Sequence, residues 1–206
     1  MSLEIMESPL DRVLQEDLDT IASSNLPWEQ LNGSHILITG ATGLVGSMAV
    51  KALACCNRKR GLQMTIHPMI RNMEKAKRVF GELAEREDIS FVEGDILNPI
   101  HTDAPINYII HGASVTASKT FVTQPVETIS TAIQGTERLL QLAGEKHIRS
   151  MVYISSMEAF GITDPALSSV KEENLGYIDV MNVRSCYSES KRMCEVMCAC
   201  YAHEYQ

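Results

Sequence analysis

Short apolar runs alternate with longer amphipathic stretches along most of the chain. Five runs are short and continuously apolar, which predicts buried strands at residues 35–39, 64–70, 89–93, 106–110 and 151–155. Between them, the pattern predicts helices at residues 44–56, 73–87 and 125–147. Because strand and helix alternate, the strands should be parallel and joined by right-handed crossovers. The sequence therefore predicts an α/β fold with a doubly wound parallel sheet.

The beginning of the chain follows a different pattern. Ser8-Pro9 has the form of a helix cap followed by proline at the first helical position. Apolar side chains then recur on one helical face, at Leu10, Val13, Leu14, Leu18 and Ile21. We expect residues 1–34 to form an amphipathic helix and an irregular lead-in, packed on a domain that spans residues 35–206.

Composition narrows the class of protein. The 206 residues are 45% hydrophobic, enough for a core of ordinary size. The net charge is -8 and the chain has no long basic block, so we expect it to bind neither nucleic acid nor an anionic membrane surface. We interpret the basic run Arg58-Lys59-Arg60 as a solvated loop. No apolar run approaches the roughly 20 residues of a membrane span, and the N-terminus lacks the form of a signal peptide, so we expect a cytoplasmic protein.

The cysteines raise the question of a metal site. Cys194, Cys198 and Cys200 lie close together, with His203 behind them. Their spacing is not that of a usual zinc knuckle, and Cys194 and Cys198 are one helical turn apart. We interpret Cys194, Cys198 and the pair Cys55-Cys56 as small buried apolar side chains, and we expect no metal site.

A glycine-rich turn follows the first predicted strand and leads directly into a helix. Its sequence is Thr39-Gly40-Ala41-Thr42-Gly43-Leu44-Val45-Gly46. At this place in a doubly wound sheet, glycines permit a tight turn and a close approach of the backbone to a ligand. The free amides of the helix N-terminus can then bind a pyrophosphate. The turn predicts a Rossmann fold that binds a dinucleotide.

The turn resembles the Thr-Gly-x-x-Gly-x-x-Gly fingerprint of the extended short-chain dehydrogenases/reductases, the NAD-dependent epimerase/dehydratase family. Four further segments match in order: Gly94-Asp95-Ile96, His111-Gly112-Ala113-Ser114, residues 155–161 and Tyr187-Ser188-Glu189-Ser190-Lys191. Residues 155–161 resemble the Ser/Thr-x-Glu-x-Tyr-Gly signature of the nucleotide-sugar branch. The resemblance implies a bound NAD or NADP, in contact with Gly40, Thr42, Gly43, Leu44, Val45, Gly46, Arg71, Asp95, Ile96, His111, Gly112, Ala113, Ser114, Tyr187 and Lys191.

The last two segments carry the chemistry that the family performs. Removing a hydride from a secondary alcohol requires a group that takes the hydroxyl proton, and a tyrosine with a pKa near about 10 is rarely ionised at neutral pH. Lys191 lies four residues after Tyr187 and hence on the same helix face, where its charge favours the tyrosinate. In the family, the lysine also holds the cofactor ribose. Ser156 would bind the same substrate oxygen and stabilise its developing charge.

Glu158 separates the branches of the family. In the resembling enzymes, oxidation at sugar carbon 4 is followed by proton transfer or loss of a carboxyl group, which a glutamate at this place assists. Hexose 4,6-dehydratases have an aspartate just before it, but this chain has Met157, which cannot donate a proton. Arg184-Ser185-Cys186-Tyr187 and Lys191-Arg192 also resemble UDP-glucuronate decarboxylases. We predict a nucleotide-sugar lyase with catalytic residues Ser156, Glu158, Tyr187 and Lys191.

Three departures from the family leave alternatives open. Arg71 stands where many relatives that use NAD have an acid, so it could accept the extra phosphate of NADP or stack on the adenine of NAD. The family's Asn-x-x-Gly-Thr motif appears as Ala132-Ile133-Gln134-Gly135-Thr136, so that Ala132 stands in place of the asparagine. Relatives also continue well beyond Lys191 into a lobe that grips the sugar; we therefore expect a truncated chain, inactive alone, that lacks this substrate lobe.

Two other functions stay open at the level of sequence. A nucleotide-sugar 4-epimerase or reductase shares the first oxidation step. A non-catalytic NAD(P)-binding sensor shares the fold, but such proteins typically lose the tyrosine and lysine that this chain keeps. By resemblance we also expect a homodimer formed through the helices at residues 125–147 and 187–203.

Overall fold

A five-stranded parallel sheet organises the fold, and the computed structural model describes residues 4–205. Its spatial order is β3-β2-β1-β4-β5. β1 pairs in parallel with β2 on one side and with β4 on the other, and β2 pairs with β3. This order confirms the predicted doubly wound sheet, with strands β1 (His35–Thr39), β2 (Thr65–Ile70), β3 (Val92–Glu93), β4 (Tyr108–His111) and β5 (Ser150–Tyr153).

The described residues form six α-helices: α1 (Arg12–Ser23), α2 (Leu44–Arg60), α3 (Met73–Phe80), α4 (Ser118–Thr123), α5 (Pro125–Lys146) and α6 (Ser185–Glu204). The predicted end of α2 at residue 56 was too early. The helix continues until Gly61, which adopts a left-handed conformation with φ of 65° and caps it. The prediction for α3 was too long, because Gly81, with φ of 55°, ends the α-helix and a 3-10 turn follows.

The cap of α1 differs from the prediction at Ser8-Pro9. The helix begins at Arg12, and the side chain of Asp11 accepts a hydrogen bond from the amide of Leu14. Ser8 lies in the preceding turn, where its amide donates to the side chain of Gln15. The cap of α1 is therefore the carboxylate of Asp11, three residues after the serine that the sequence indicated.

The described residues divide into two compact units. The first contains the chain up to Asp95, together with Ile100–Ala113 and Glu145–Val152. The second contains Ile96–Pro99, Ser114–Gly144 and the chain from Tyr153 onward. The sequence-based boundary between residues 34 and 35 stays a prediction.

The main apolar core lies in the first unit, between α1, α2 and the sheet. Ile36, Ile38, Val50 and Ile66 are within 2% of complete burial. Cys55 and Cys56 are fully buried in this core, as predicted, and in the second unit so is Cys194. The prediction was wrong for Cys198, which is only partly buried, and Cys200 is exposed. Within residues 4–205, no helix is both long and apolar enough to span a membrane.

Within the first unit, a buried ionic network attaches the N-terminal segment before α1 to α2 and to the segment before β3. The side chain of Arg86 is inaccessible to solvent and forms ion pairs of 2.6 Å with both Glu7 and Asp88. It also donates to the carbonyl of Ala54 on α2, at 2.9 Å. Arg58 pairs with the other side of the Glu7 carboxylate at 2.8 Å. The two arginines and two acids thus balance one another, with Arg86, Glu7 and Asp88 buried and Arg58 at the edge of the network, 23% exposed.

The basic run at Arg58-Lys59-Arg60 is therefore not the solvated loop that the sequence indicated. It forms the last turn of α2, where positive side chains complement the helix dipole. Arg60 donates to the carbonyls of Ala22 and Ser24 at the end of α1, at 2.5 and 2.7 Å. The run holds α1 and the N-terminal segment against α2. The pattern of charges along the sequence does not show that these arginines bind Glu7 and the carbonyls at the end of α1.

A histidine pair on adjacent strands predicts a loss of stability in acid. His35 Nδ1 lies 2.9 Å from His67 Nε2, and His67 is buried. Burial and then the neighbouring His35 lower the pKa of His67. The unfolded chain thus binds more protons, and the stabilising effect of neutral His67 is lost as the pH falls below about 6.5. Urea unfolding at about pH 7.5 and about pH 5.5 measures this difference, which His67→Gln should reduce; an equal difference in both proteins would contradict it.

Candidate functional site

The glycine turn of the first unit is packed so closely that side chains are excluded. The Gly43 amide donates to the Gly40 carbonyl at 2.9 Å, which closes the turn at the start of α2. A Cβ on Gly46 would lie 2.3 Å from this carbonyl oxygen. Gly40 has φ of 68°, and a Cβ there would lie 2.7 Å from the backbone of Gly112. The sequence pattern at these positions is therefore a requirement of the backbone path.

The same turn is tied to the end of β4. Thr39 Oγ1 lies 2.7 Å from His111 Nδ1, and both side chains are buried. The amide of Ala113 donates to the same hydroxyl at 3.1 Å. Sequence reasoning included Thr39 in the motif but gave it no role. Its hydroxyl fixes the segment after β4 beside the glycine turn, and His111 contributes to this support.

The geometry of the first unit suits a dinucleotide. At Gly40 and Gly46 the turn packs on neighbouring backbone with no room for a Cβ, and it ends at the N-terminus of α2. The first helical turn contains no acidic residue, so nothing repels a pyrophosphate from its amides. Leu44 and Val45 are exposed at this place, with relative exposures of 82% and 57%. These residues fit the predicted cofactor.

A charged pair lies at the ends of the neighbouring strands. Arg71 follows β2, is largely exposed, and its Nη1 atom lies 3.5 Å from Asp95 Oδ2. Asp95 stands two residues after β3, and the amide of the intervening Gly94 donates to the carbonyl of Ile70. Both residues were predicted to bind the cofactor, and the structure brings them together.

In the second unit, Ile96 is buried against Gly135, where a Cβ would lie 2.5 Å from Ile96 Cδ1. Gly135 belongs to the helix motif in which Ala132 stands in place of the usual asparagine. The glycine is needed because Ile96 packs directly on the helix backbone. Ser114, also predicted to contact the cofactor, donates to the carbonyl of Val115 at 3.2 Å.

Tyr187 and Lys191 lie one turn apart on α6. Lys191 is 4% exposed, and its ammonium donates to the carbonyl of Ile154 at 2.8 Å. The ammonium nitrogen lies 4.7 Å from the ring centre of Tyr153 and 5.7 Å from that of Tyr187. Burial lowers the pKa of Lys191. The structure thus places a fixed, buried cation beside the predicted proton acceptor.

The ring of Tyr187 is held from its other side. Phe121 of α4 stacks on it with ring centres 4.3 Å apart and an interplanar angle of 13°. Arg184 lies over the Phe121 ring, 4.5 Å from its centre. The aromatic stack fixes the plane of Tyr187 without using its hydroxyl group.

Ser156 and Glu158 meet in the turn that follows β5. The Ser156 hydroxyl accepts a hydrogen bond from the Glu158 amide at 3.2 Å and caps a 3-10 turn. Both oxygens of Glu158 accept from Arg184, at 2.8 and 2.9 Å, and Ser188 donates to one of them at 3.2 Å. Hydrogen bonding by Arg184 lowers the pKa of Glu158. Sequence reasoning noted Arg184 in a motif but did not identify this pair.

The family model of the NAD dependent epimerase/dehydratase family matches residues 36–206. The chain belongs to this family. The match confirms the resemblance drawn from the glycine turn and the four later segments. Because the family is NAD-dependent, it also confirms the predicted type of cofactor.

Curated relatives of this epimerase/dehydratase chain perform several reactions. It is 29% identical to UDP-glucuronic acid decarboxylase 1 of Xenopus tropicalis over 167 residues, covering 81% of the chain and 37% of the relative. It is 30% identical to the dTDP-glucose 4,6-dehydratase of Streptomyces antibioticus, covering 62% of the chain and 38% of the relative. It is 28% identical to the UDP-glucose 4-epimerase of Haemophilus influenzae, covering 78% and 46%. The chain thus spans less than half the length of these relatives.

Solved structures show the same fold at lower identity. The PbgP3 protein of Burkholderia pseudomallei has a TM-score of 0.67 and 20% identity, covering 83% of this chain and 49% of that one. A UDP-glucuronic acid 4-epimerase of Bacillus cereus, solved with UDP-glucuronic acid and NAD, has a TM-score of 0.63 and 24% identity, covering 83% and 53%. Both confirm the Rossmann-like fold of this family member.

Proposed function

We propose that the chain is the cofactor-binding part of a nucleotide-sugar lyase, of the UDP-glucuronate decarboxylase or dTDP-glucose 4,6-dehydratase type. The lyase would act through transient oxidation at sugar carbon 4. One observation carries the proposal: Tyr187 stands one helical turn from the buried ammonium of Lys191, in the unit that also contains the ion-paired Glu158. Family membership and the similarity to decarboxylases support the same chemistry.

The residues assigned to the cofactor act through position and charge. A bound nicotinamide dinucleotide would supply the hydride acceptor. The turn from Gly40 through Thr42 and Gly43 to Gly46, with the amides of Leu44 and Val45, would hold its pyrophosphate. Arg71, Asp95 and Ile96 would bind the adenosine, and the segment His111-Gly112-Ala113-Ser114 would lie along the cofactor. Lys191 would hold its ribose.

In this proposal the side chains of the second unit handle the sugar. The ammonium of Lys191 stabilises Tyr187 as a tyrosinate, which accepts the proton of the carbon 4 hydroxyl and becomes a neutral tyrosine. The hydroxyl of Ser156 donates a hydrogen bond to the same substrate oxygen. Glu158 assists the step that follows, next to the newly formed ketone. The substrate is a nucleotide sugar, and neither nucleic acid nor a membrane takes part.

Product analysis tests this function. The complete gene product that contains this chain is incubated with UDP-glucuronate and, separately, with dTDP-glucose, in the presence of NAD. We expect carbon dioxide from the first or a 4-keto-6-deoxy sugar from the second. If neither product forms while the protein binds NAD, the lyase assignment is wrong.

A nucleotide-sugar 4-epimerase or reductase is the second candidate. Met157 favours it over a dehydratase, because a thioether cannot protonate a leaving hydroxyl group. The similarity to UDP-glucose 4-epimerases also supports it. The same incubations separate the candidates, since an epimerase inverts carbon 4 without loss of carbon dioxide. A non-catalytic dinucleotide sensor ranks below both, because Tyr187 and Lys191 are present.

Two further properties belong to the proposal. We infer that the protein forms a homodimer through α5 and α6, and that it works in the cytoplasm. Val126 and Ile129 on α5 and Met193 and Val196 on α6 are exposed apolar side chains that agree with such an interface.

The pair of Arg71 and Asp95 predicts a preference for NAD. The Asp95 carboxylate, 3.5 Å from the guanidinium, would repel the additional phosphate of NADP. Calorimetric titration of the chain should therefore give tighter binding of NAD, on the order of tenfold, a difference of about 1.4 kcal/mol. Arg71→Ala should weaken the binding of NAD and of NADP by the same factor. Arg78→Ala on α3 is the matched control, because Arg78 is an exposed arginine as well. A loss confined to NADP would instead assign Arg71 to the phosphate.

A further inference from the structure

Glu158, which the proposed function uses, forms a paired set of hydrogen bonds with Arg184, to which that function gives no role. The guanidinium meets the carboxylate through two parallel hydrogen bonds, from Nη2 to Oε1 at 2.8 Å and from Nη1 to Oε2 at 2.9 Å. This two-pronged geometry is the strongest that an arginine and a carboxylate can form. The side chains are 34% and 35% exposed, so the pair is neither buried nor freely solvated.

The pair is held from outside as well as by its own attraction. Ser188 donates from α6 to Glu158 Oε2 at 3.2 Å. The guanidinium of Arg184 lies over the ring of Phe121, which in turn stacks on Tyr187. A planar guanidinium is suited to stack on a ring and bind a carboxylate at the same time, whereas lysine cannot reproduce both contacts. Arg184 thus connects the carboxylate to the aromatic stack that fixes the proposed base.

The turn that carries Glu158 is fixed independently. Arg192 on α6 donates to the carbonyl of Ala159 at 2.6 Å and to that of Gly176 at 2.9 Å. The Glu158 backbone is therefore positioned by Arg192 and Ser156, and the contact with Arg184 is not needed to form the turn. Its effect is on the carboxylate, which faces a permanent cation and one hydroxyl donor.

We propose that Arg184 is a positioning residue that fixes Glu158 as an ionised carboxylate, so that Glu158 enters the reaction as a proton acceptor and not as a proton donor. This inference rests on the proposed function and narrows it. A carboxylate that binds an arginine through both oxygens holds no proton to deliver to a leaving hydroxyl group. It can receive a proton from the carbon next to a ketone, or act as a fixed negative charge there.

Titration of the Glu158 carboxyl tests the role of Arg184 without turnover. The chain is labelled with ¹³C at glutamate side-chain carboxyls, and Glu158→Gln identifies the Glu158 resonance. In the unaltered chain, we expect this carboxyl to titrate below the ordinary midpoint of about 4.3. Arg184→Gln should raise the midpoint by about one pH unit, since an adjacent arginine lowers a carboxyl pKa by at least that amount.

Control variants separate charge from folding. Arg184→Lys keeps the charge but loses the two-pronged contact, so its midpoint should fall between the other two. Arg138→Gln removes an arginine that bonds to Gln141 in the same unit, and it should leave the Glu158 midpoint unchanged. The proposal is overturned if the Glu158 midpoint in both Arg184→Gln and Arg184→Lys equals that of the unaltered chain.

A pH profile of the complete gene product adds the functional readout. In Arg184→Gln, the acid limb of the kcat profile should shift to higher pH by the same amount as the carboxyl midpoint. The change in KM should be smaller. An unmoved limb overturns the role of Arg184 in the reaction. If the titration shift is present but no sugar nucleotide is converted, it is the proposed function that fails, so the two failures are distinct.

Discussion

Replacing Arg86 by methionine is expected to lower the free energy of unfolding by about 3–5 kcal/mol. The Arg86 side chain has no solvent exposure, and it pairs with Glu7 and Asp88 at 2.6 Å. Methionine fills much of the same volume but leaves Asp88 without this partner in a place that water does not reach. Removing one member of a buried ion pair is costly because the remaining charge is desolvated and uncompensated.

Urea denaturation of the 206-residue chain measures the effect. The matched control is Arg12→Met, because Arg12 forms an ion pair with Glu16 at 2.7 Å while its side chain is 91% exposed. Exposed pairs of this kind contribute on the order of 0.5 kcal/mol or less. Equal, small effects of the two substitutions would contradict the assignment of Arg86 to the anchoring of the N-terminal segment.

Replacing Tyr187 by phenylalanine is expected to lower kcat of the complete gene product by about 10²–10⁴-fold. The substitution removes only the hydroxyl group that we assign to proton transfer. Phenylalanine keeps the stack on Phe121, at 4.3 Å between ring centres, so the fold should be preserved. Binding of NAD should change little, because Lys191 and the glycine turn are untouched.

Steady-state turnover and calorimetric titration with NAD measure these two effects. Tyr201→Phe is the matched control, since Tyr201 lies on α6 and its ring contacts Tyr205 rather than Phe121. It should leave both quantities unchanged. Full turnover in Tyr187→Phe would show that another group accepts the proton.

Much of the fold follows from local pattern. The five strands lie at or within a residue or two of the short apolar runs, and β1 and β2 are buried as predicted, because a strand buried on both faces needs a continuous apolar run. The prediction of burial was wrong for β3, which has only two residues, and for β5, which alternates exposed and half-buried residues. The glycine turn was equally readable, since Gly40 and Gly46 stand where a Cβ would overlap the backbone. The family, the sheet and the type of cofactor could be obtained in this way.

Apart from the ends of α2 and α3, the cap of α1 and the burial of β3, β5 and Cys198, the errors concern interactions between distant parts of the chain. Arg58 and Arg86 bind Glu7 across 51 and 79 positions of sequence, and no local pattern encodes that pairing. The contact between Arg184 and Glu158 likewise joins a loop and a helix N-terminus 26 residues apart. Arg184 belonged to a recognised motif, but only the folded structure shows that both of its nitrogens meet one carboxylate.

The roles of Ser156, Glu158, Tyr187 and Lys191 stay predictions that the geometry of the second unit supports. Lys191 is buried beside Tyr187, and Glu158 is ion-paired. Lysine and glutamate are usually exposed and solvated. The burial of Lys191 and the ion pair of Glu158 therefore distinguish these two residues from ordinary charged residues.

Isotope transfer tests the central claim, transient oxidation at sugar carbon 4. The complete gene product, saturated with NAD, is mixed with a nucleotide sugar that carries deuterium at carbon 4, and the reaction is quenched at short times. Mass spectrometry of the released dinucleotide should then show deuterium on a fraction of the reduced cofactor. Conversion of the sugar nucleotide while the cofactor stays oxidised and free of deuterium would contradict the account.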